Sequence, residues 1–250
     1  MTLLRTAEIN ETPEPGNDLV FAVHQPNYLP WLGYFSKIAA SDVFVFLDTV
    51  QFPRGRNFSV RNRVKTANGS VYLTLPVSVP KGSNGRVTYN EVTLADPNWR
   101  TKHLKTIELA YKKAPFFNEV FDLYGEAVEG IDPAGRLVDL NLRLIDMVMT
   151  YVGIETSTVR LSELDADFGA KSQLIVDIGT SLGATTYMSG TGGGRDYNDE
   201  QLLAENAIDL RYSTYQPAEY PQLWGEFERS LSVLDILFNC GRETAGFLEV

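Results

Sequence analysis

Four residues that can bind a substrate or move a proton, His24, Gln25, Asn27 and Tyr28, stand within a stretch of five, directly behind a short apolar run, Leu19 to Val23. An imidazole can act as a general base or hydrogen-bond a phosphate, and the amides and the phenol can orient a substrate through neutral hydrogen bonds. Pro26 and Pro30 fix their own φ and turn Gln25 and Leu29 away from helical backbone, so the loop presenting these groups is stiff. In open α/β sheets ligands bind beyond the carboxyl ends of the strands. His24, one of two histidines in the chain, follows such a strand. The plainer reading is a histidine that only pins the loop. Trp31, in the same segment, reads as core.

Further candidates lie downstream. Asp48 ends a second apolar run, Val43 to Leu47, and parallel pairing of the two runs brings it beside His24. A carboxylate there can orient a histidine, bind an amine or hydroxyl, or hold Mg²⁺; otherwise it is a cap or turn residue. Arg61, Asn62, Arg63, Val64 and Lys65 alternate basic side chains, which a strand puts on one face for gripping phosphates or a carboxylate. Arg54, Arg56, Arg61, Arg63 and Lys65 fall within 12 residues, a local basic cluster that suits a phosphate-bearing small molecule or, more plainly, a solvated strand face. Ser189, Gly190, Thr191, Gly192, Gly193 and Gly194 follow a strand, with Arg195 and Tyr197 just behind. Such a loop lets backbone N–H groups approach an anion, although it matches neither the Walker A pattern nor G-x-G-x-x-G. His103 shares a helical face with Trp99 and Ile107 and reads as a satisfied core residue. Cys240 is a nucleophile only with a base beside it. No cluster has metal-ligand spacing, so no metal site is expected.

The elements that must position these groups follow from apolar periodicity. Leu19–Val23, a helix Tyr34–Ala40 and Val43–Leu47 form a βαβ unit of about 30 residues, which predicts parallel pairing. The stretch 49–65 reads as loop. Val71–Val77 and Val87–Leu94 read as strands, the second at an edge. Asp96 is a candidate N-cap and Pro97 a candidate first helical residue. Helices then run to Pro115, over Phe116–Val128 and over Arg136–Val152, with Gly153 as the stop. Alternation returns afterwards: strand Thr156–Leu161, helix Ser172–Leu182, strand Ala184–Met188, a short helix from Leu202, strand Ile208–Tyr212 and helix Ser232–Asn239. The expected fold is α/β, a mostly parallel sheet opening with a βαβ unit and carrying a helical block at about 97–153. Residues 1–18 read as a disordered or loosely docked arm and 19–250 as one domain.

Composition narrows the partners. A net charge of −10 argues against a large nucleic-acid footprint, and 44% hydrophobic with 11% aromatic residues is ordinary for a folded protein. No apolar run approaches the roughly 20 residues of a membrane helix. The opening lacks the basic-then-apolar pattern of a signal peptide, and the lone Cys240 excludes an intramolecular disulfide, so a cytoplasmic location is expected. Neither composition nor pattern indicates an oligomeric state.

Several segments together resemble the WbqC-like protein family: His24 to Phe35, Leu47-Asp48 with Gln51-Phe52, Arg61 to Lys65, Lys102 to Leu104, Tyr111 with Ala114 to Phe117, Leu182 to Gly190, and Asp235 to Asn239. The resemblance spans roughly residues 19 to 242. It implies a protein of O-antigen, other surface-sugar or secondary-metabolite clusters, for which transfer of glycine or another acyl group to an amino sugar has been proposed. On that basis the expected function is an enzyme joining an acyl or aminoacyl group to the amine of a nucleotide-linked amino sugar. His24 is the expected base and Asp48 its orienter. Arg61, Asn62 and Arg63 would hold a diphosphate or carboxylate, and the Ser189–Gly194 loop with Arg195 and Tyr197 would close on donor or phosphate. The donor would be an aminoacyl or acyl-carrier thioester, an aminoacyl-tRNA or an in-situ adenylate, with tRNA the poorest match to the negative charge. The order of strand, proline loop and helix is also similar to the opening of nucleotidylyltransferases and pantothenate synthetases. At the positions of their His-x-Gly-His signature stand Trp31, Leu32, Gly33 and Tyr34, so both of its histidines are missing. From the shared opening, an ATP- and Mg²⁺-dependent amide ligase is the alternative enzyme, and a non-catalytic sugar-nucleotide binding module is the alternative outside catalysis.

Overall fold

Five strands form one parallel sheet: β1 (Val20–His24), β2 (Val43–Phe46), β7 (Ser157–Arg160), β8 (Thr186–Ser189) and β9 (Asp209–Tyr212). Their spatial order is β7-β2-β1-β8-β9, and every neighbouring pair is parallel. The computed structural model describes residues 18–81, 86–190 and 198–248. Strand runs such as Val-Phe-Val-Phe carry no polar face because both sides of the sheet are covered. Phe44 and Phe46 face one apolar core, and Val43 and Val45 face the other, as the alternation of a strand demands.

Helix α1 (Leu32–Ala39) links β1 to β2, and the chain then moves outward to β7. Helix α5 (Ser172–Leu182) brings it back across to β8 on the far side of β1, and α6 (Glu200–Glu205) leads on to β9. Right-handed crossovers running in opposite directions put their helices on opposite faces. Accordingly Phe35 and Ile38 of α1 belong to one core, and Leu174, Ile175 and Ile178 of α5 to the other. The winding reverses between β1 and β8, which is the switch point of the sheet.

Between β2 and β7 the chain adds a hairpin, β3 (Arg61–Thr66) with β4 (Gly69–Thr74), and a short pair, β5 (Val77–Ser78) with β6 (Thr93–Leu94). Three helices follow: α2 (Trp99–Tyr111), α3 (Phe117–Glu129) and α4 (Leu137–Val152), the last stopped by Gly153 at φ 77°. The βαβ opening and the helical block therefore stand as expected, and α7 (Val233–Cys240) completes the α1 side of the sheet.

Other expectations are corrected. The stretch 49–65, read as loop, yields its last residues to β3. Val87–Leu94 is no continuous strand, because Thr88 and Glu91 cap each other reciprocally and turn Tyr89–Glu91 into a single 3₁₀ turn. Helix α2 begins at Trp99 rather than Pro97, because the Asp96 carboxylate accepts from the Asn98 N–H and ties a turn ahead of it. Trp31 is 38% exposed and stands edge-on to Tyr215, outside the core. Asp18 lies at the end of the expected arm yet accepts from the hydroxyls of Thr185 and Thr186 and pairs with Arg211. The rest of that arm lies outside the described residues.

The Gln25–Trp31 loop leaves β1 with backbone carbonyls that lie outside the hydrogen-bond ladder of the sheet. Asn141 of α4, fully buried, donates to Pro26 O and Ser59 O, each at 2.8 Å. Asn62 of β3 donates to Leu29 O at 2.6 Å and so holds Leu29 at its φ of 43°, a left-handed conformation costly for a branched side chain. Replacing Asn141 by Leu keeps the volume and orphans two buried acceptors. Asn141→Leu is expected to lower unfolding free energy by about 2 kcal/mol, read as a lower urea midpoint at unchanged slope.

Candidate functional site

Alignment of Ala22 with Met188 brings His24 and Gly190 level across the ends of β1 and β8. A cavity of about 550 Å³ opens there, at the carboxyl edge of the sheet. Its polar lining is His24, Gln25, Lys37, Lys171, Ser172, Ser189 and Asn198, and Val23, Leu47, Leu174 and Ile175 supply apolar wall. This is where an open parallel sheet binds ligands, since two connections diverge and leave a crevice.

His24 is partly exposed. Its Nδ1 lies 3.1 Å from Gln25 O, which only accepts, so Nδ1 carries the proton and Nε2 keeps its lone pair. Tyr34 packs edge-on to the ring and donates its own hydroxyl to the same carbonyl. Burial, reinforced by the nearby Lys37, pushes the imidazole pKa down to about 3, against a smaller upward pull from the Gln25 carbonyl. The ring is therefore neutral at physiological pH.

Lys37 is 5% exposed. It reaches from α1 to donate to Val23 O at 3.0 Å, with the Phe44 ring 5.6 Å away. Burial alone pulls its ammonium down to about 7. Lys171 precedes α5 at φ 58° and ψ −130°, strained backbone for a residue with a side chain. The Ser172 hydroxyl accepts from the Asp199 N–H, and Asn198 Nδ2 donates to Ser189 Oγ at 3.0 Å.

The residues singled out from the sequence divide. His24, Gln25, Ser189 and Gly190 meet at the cavity. Gly192, Arg195 and Tyr197 lie outside the described residues. Asp48 does not orient His24: its carboxylate accepts from Ser162 N and Oγ and from Asn90, and the Gln25 carbonyl takes the orienting role. Asn27 accepts from Ser59 Oγ. Tyr28 is fully buried, its hydroxyl between His103 Nδ1 at 2.7 Å and Tyr124 at 3.0 Å, while His103 Nε2–H donates to Thr74 O. Tyr28 and His103 thus form a satisfied core network.

The basic cluster also separates. Arg61 lies over the Tyr72 ring, and Asn62 is spent on Leu29 O. Arg63 pairs with Glu228, and Lys65 donates to Gln222. These side chains fasten the segment ahead of α7, and none lines the switch-point cavity. Arg54 lines a different cavity of about 480 Å³, with Phe52, Val79 and Lys81. Burial pushes the Cys240 thiol up to about 11, the wrong direction for a nucleophile. Among the described residues no group of His, Cys, Asp and Glu is placed to hold a metal, and no helix is long and apolar enough to cross a membrane.

Sequence reasoning missed Lys37 and Lys171. A signal for Lys37 was present: a lysine between Phe35-Ser36 and Ile38 in a short helix whose residues 32–38 are all buried. Lys171 carried none, since only the backbone shows its position.

Fold and site define a doubly covered parallel α/β protein with a basic, histidine-bearing cavity at its switch point. The chain belongs to the WbqC-like protein family, whose model matches residues 25–246. It is 33% identical over 232 residues to the uncharacterized protein Rv1507c of Mycobacterium tuberculosis, covering 91% of this chain and 96% of that one. No solved structure matches it.

Three groups held below their ordinary pKa values make stability depend on pH in two windows. The folded state holds Lys37 near 7 against an ordinary value of 10.5, so it binds fewer protons than the unfolded chain between those values. Stability from this group therefore falls as pH drops from 10.5 to 7, by on the order of a few kcal/mol, and is constant below. His24 at about 3 and His103 at about 4, against 6.5, give a second loss as pH falls below 6.5. Urea titrations across pH should show both slopes, and Lys37→Met should lack the alkaline one. Separately, Lys171→Gly relieves the strained φ and is expected to stabilise by about 1 kcal/mol, seen as a higher melting temperature.

Proposed function

We propose that the protein is an enzyme that transfers an acyl or aminoacyl group, such as glycyl, to the amine of a nucleotide-linked amino sugar. The pathway would be one of polysaccharide or secondary-metabolite synthesis. The observation that carries this reading is the neutral His24 at the switch-point cavity, its Nδ1–H committed to Gln25 O and its Nε2 lone pair left for a substrate. In the reaction the amine nitrogen attacks the acyl carbonyl carbon and a C–N bond forms. The nitrogen becomes more acidic once it has attacked, and His24 Nε2, unprotonated near neutrality, takes its proton. With a thioester donor, the acyl C–S bond then breaks, and the departing thiolate takes the proton from His24. Family membership supports the reading only at the level of the fold group. Arg61 and Arg63 have no part in it, because they hold the segment ahead of α7 and the Tyr72 ring.

The test is incubation of the full chain with glycyl or acetyl thioesters and UDP-, dTDP- or GDP-amino sugars, with amide product followed by mass. His24→Gln, which keeps a polar group but no base, is expected to cut turnover by about 10²–10⁴-fold. A variant as active as the parent removes His24 from the chemistry. Release of AMP and pyrophosphate with ATP and Mg²⁺ would make the protein a ligase. Binding without turnover would make it a sugar-nucleotide binding module.

A further inference from the structure

Lys37 is a buried lysine with no carboxylate partner among the described residues. Buried lysines are rare unless paired, because removing a charge from water costs far more than one carbonyl returns. Its ammonium donates to Val23 O. The Phe44 ring on β2 lies 5.6 Å from its ammonium and His24 on β1 feels its charge, while Lys171 and Ser172 at the start of α5 and Tyr187 on β8 line the same cavity. None is an acid, and no Asp or Glu lines the cavity among the described residues. Asp48, just beyond β2, is committed to Ser162 and Asn90, and Asp42 accepts from the Val20 N–H. The described lining of the cavity therefore has an excess of positive charge, from the buried Lys37 and the exposed Lys171.

We infer that the ligand supplies the missing charge: the cavity takes a phosphoryl group, held by Lys37 from below and by Lys171 and the first turn of α5 from the rim, and Lys37 gains a proton as it binds. Two lysines suit a dianion better than a carboxylate. The first N–H groups of an eleven-residue helix have no intrahelical acceptor and carry the positive end of its dipole. The inference rests on the proposed sugar-nucleotide substrate and names which part of it enters the switch-point cavity.

Sulfate is the probe, because it is a dianion that does not titrate between pH 6 and 9; ionic strength is fixed with chloride. Melting temperature and calorimetric titration of the full chain read its binding by mass action. The protonated fraction of a lysine at about 7 drops steeply above neutrality, so the sulfate Kd should rise roughly 25-fold from pH 6.5 to 8.5. At pH 8.5, titrations in two buffers of different ionisation heat should show uptake of about one proton per site. Acetate, the carboxylate arm, should bind more weakly than sulfate at pH 6.5. Lys37→Met should lose most of the affinity and all of the pH dependence. Lys37→Arg, charged throughout, should bind sulfate equally at both pH values, which keeps the test decisive if the Met variant does not fold.

Sulfate affinity independent of pH in the parent chain, or pH dependence retained in a folded Lys37 variant, would overturn the inference, as would tighter binding of acetate. A chain that binds sulfate as expected but forms no amide keeps this inference and loses the transferase reading. A chain that forms amide yet binds sulfate without pH dependence does the reverse.

Discussion

The rest of the structure depends on how the Gln25–Trp31 loop satisfies its carbonyls. Two prolines keep it from becoming helix, and Pro26, Tyr28, Leu29 and Pro30 are buried away from water. Four of its carbonyls are answered by four different elements. Gln25 O accepts from Tyr34 of α1, Pro26 O from Asn141 of α4, Leu29 O from Asn62 of β3, and Pro30 O from the N–H of Val233 at the start of α7. The hairpin, the helical block and the C-terminal helix are thus not decorations on a parallel sheet. They are the donors without which the loop could not take this shape, and the loop fixes where β1 ends and His24 begins.

The same economy accounts for the other polar groups buried on the α1 side. Asp235 of α7 accepts from Tyr111 and Tyr220, and Tyr111 in turn accepts from the Lys65 N–H. The side chains of Arg63 and Lys65 hold the 222–229 segment beside this network. A basic run in an acidic protein invites a ligand reading, but its charges have internal partners, and such runs cannot be told apart from the sequence alone. What distinguishes a binding cation is the lack of an acid within reach, and that is a property of the fold.

The sheet, its parallel pairing and the helical block were legible because apolar periodicity and proline placement are local. His24 and Ser189 were legible as strand-end residues because chain direction fixes which end of a parallel strand opens on the crevice. Asp48 shows where such reasoning stops. Its position at a strand end was right, yet its carboxylate is consumed by Ser162, 114 residues away. Tyr28 is the same case, drawn into the core by His103 and Tyr124 across separations of 75 and 96 residues. Long-range satisfaction of polar groups decides whether a well-placed residue is free to act, and no spacing rule carries that information. Thr88 and Glu91, by contrast, carried a readable local signal that outweighed the strand propensity around them.

His24 and Lys37 are best understood as one electrostatic unit. Each is pushed towards its neutral form by burial, and the positive form of Lys37 further disfavours protonation of His24. Their environments set them apart by several pH units, the condition under which two neighbouring groups take different roles. Near neutrality the imidazole holds no proton on Nε2, while the ammonium is poised to gain or lose one. An anion arriving at Lys37 would settle that group in its charged form without requiring His24 to change. A cavity that joins a fixed neutral base to a cation of adjustable charge can bind an anion and still keep a lone pair for proton transfer. One lysine paired to an internal carboxylate would have lost the first property, and a histidine paired to Asp48 would have been pulled towards its charged form and lost the second.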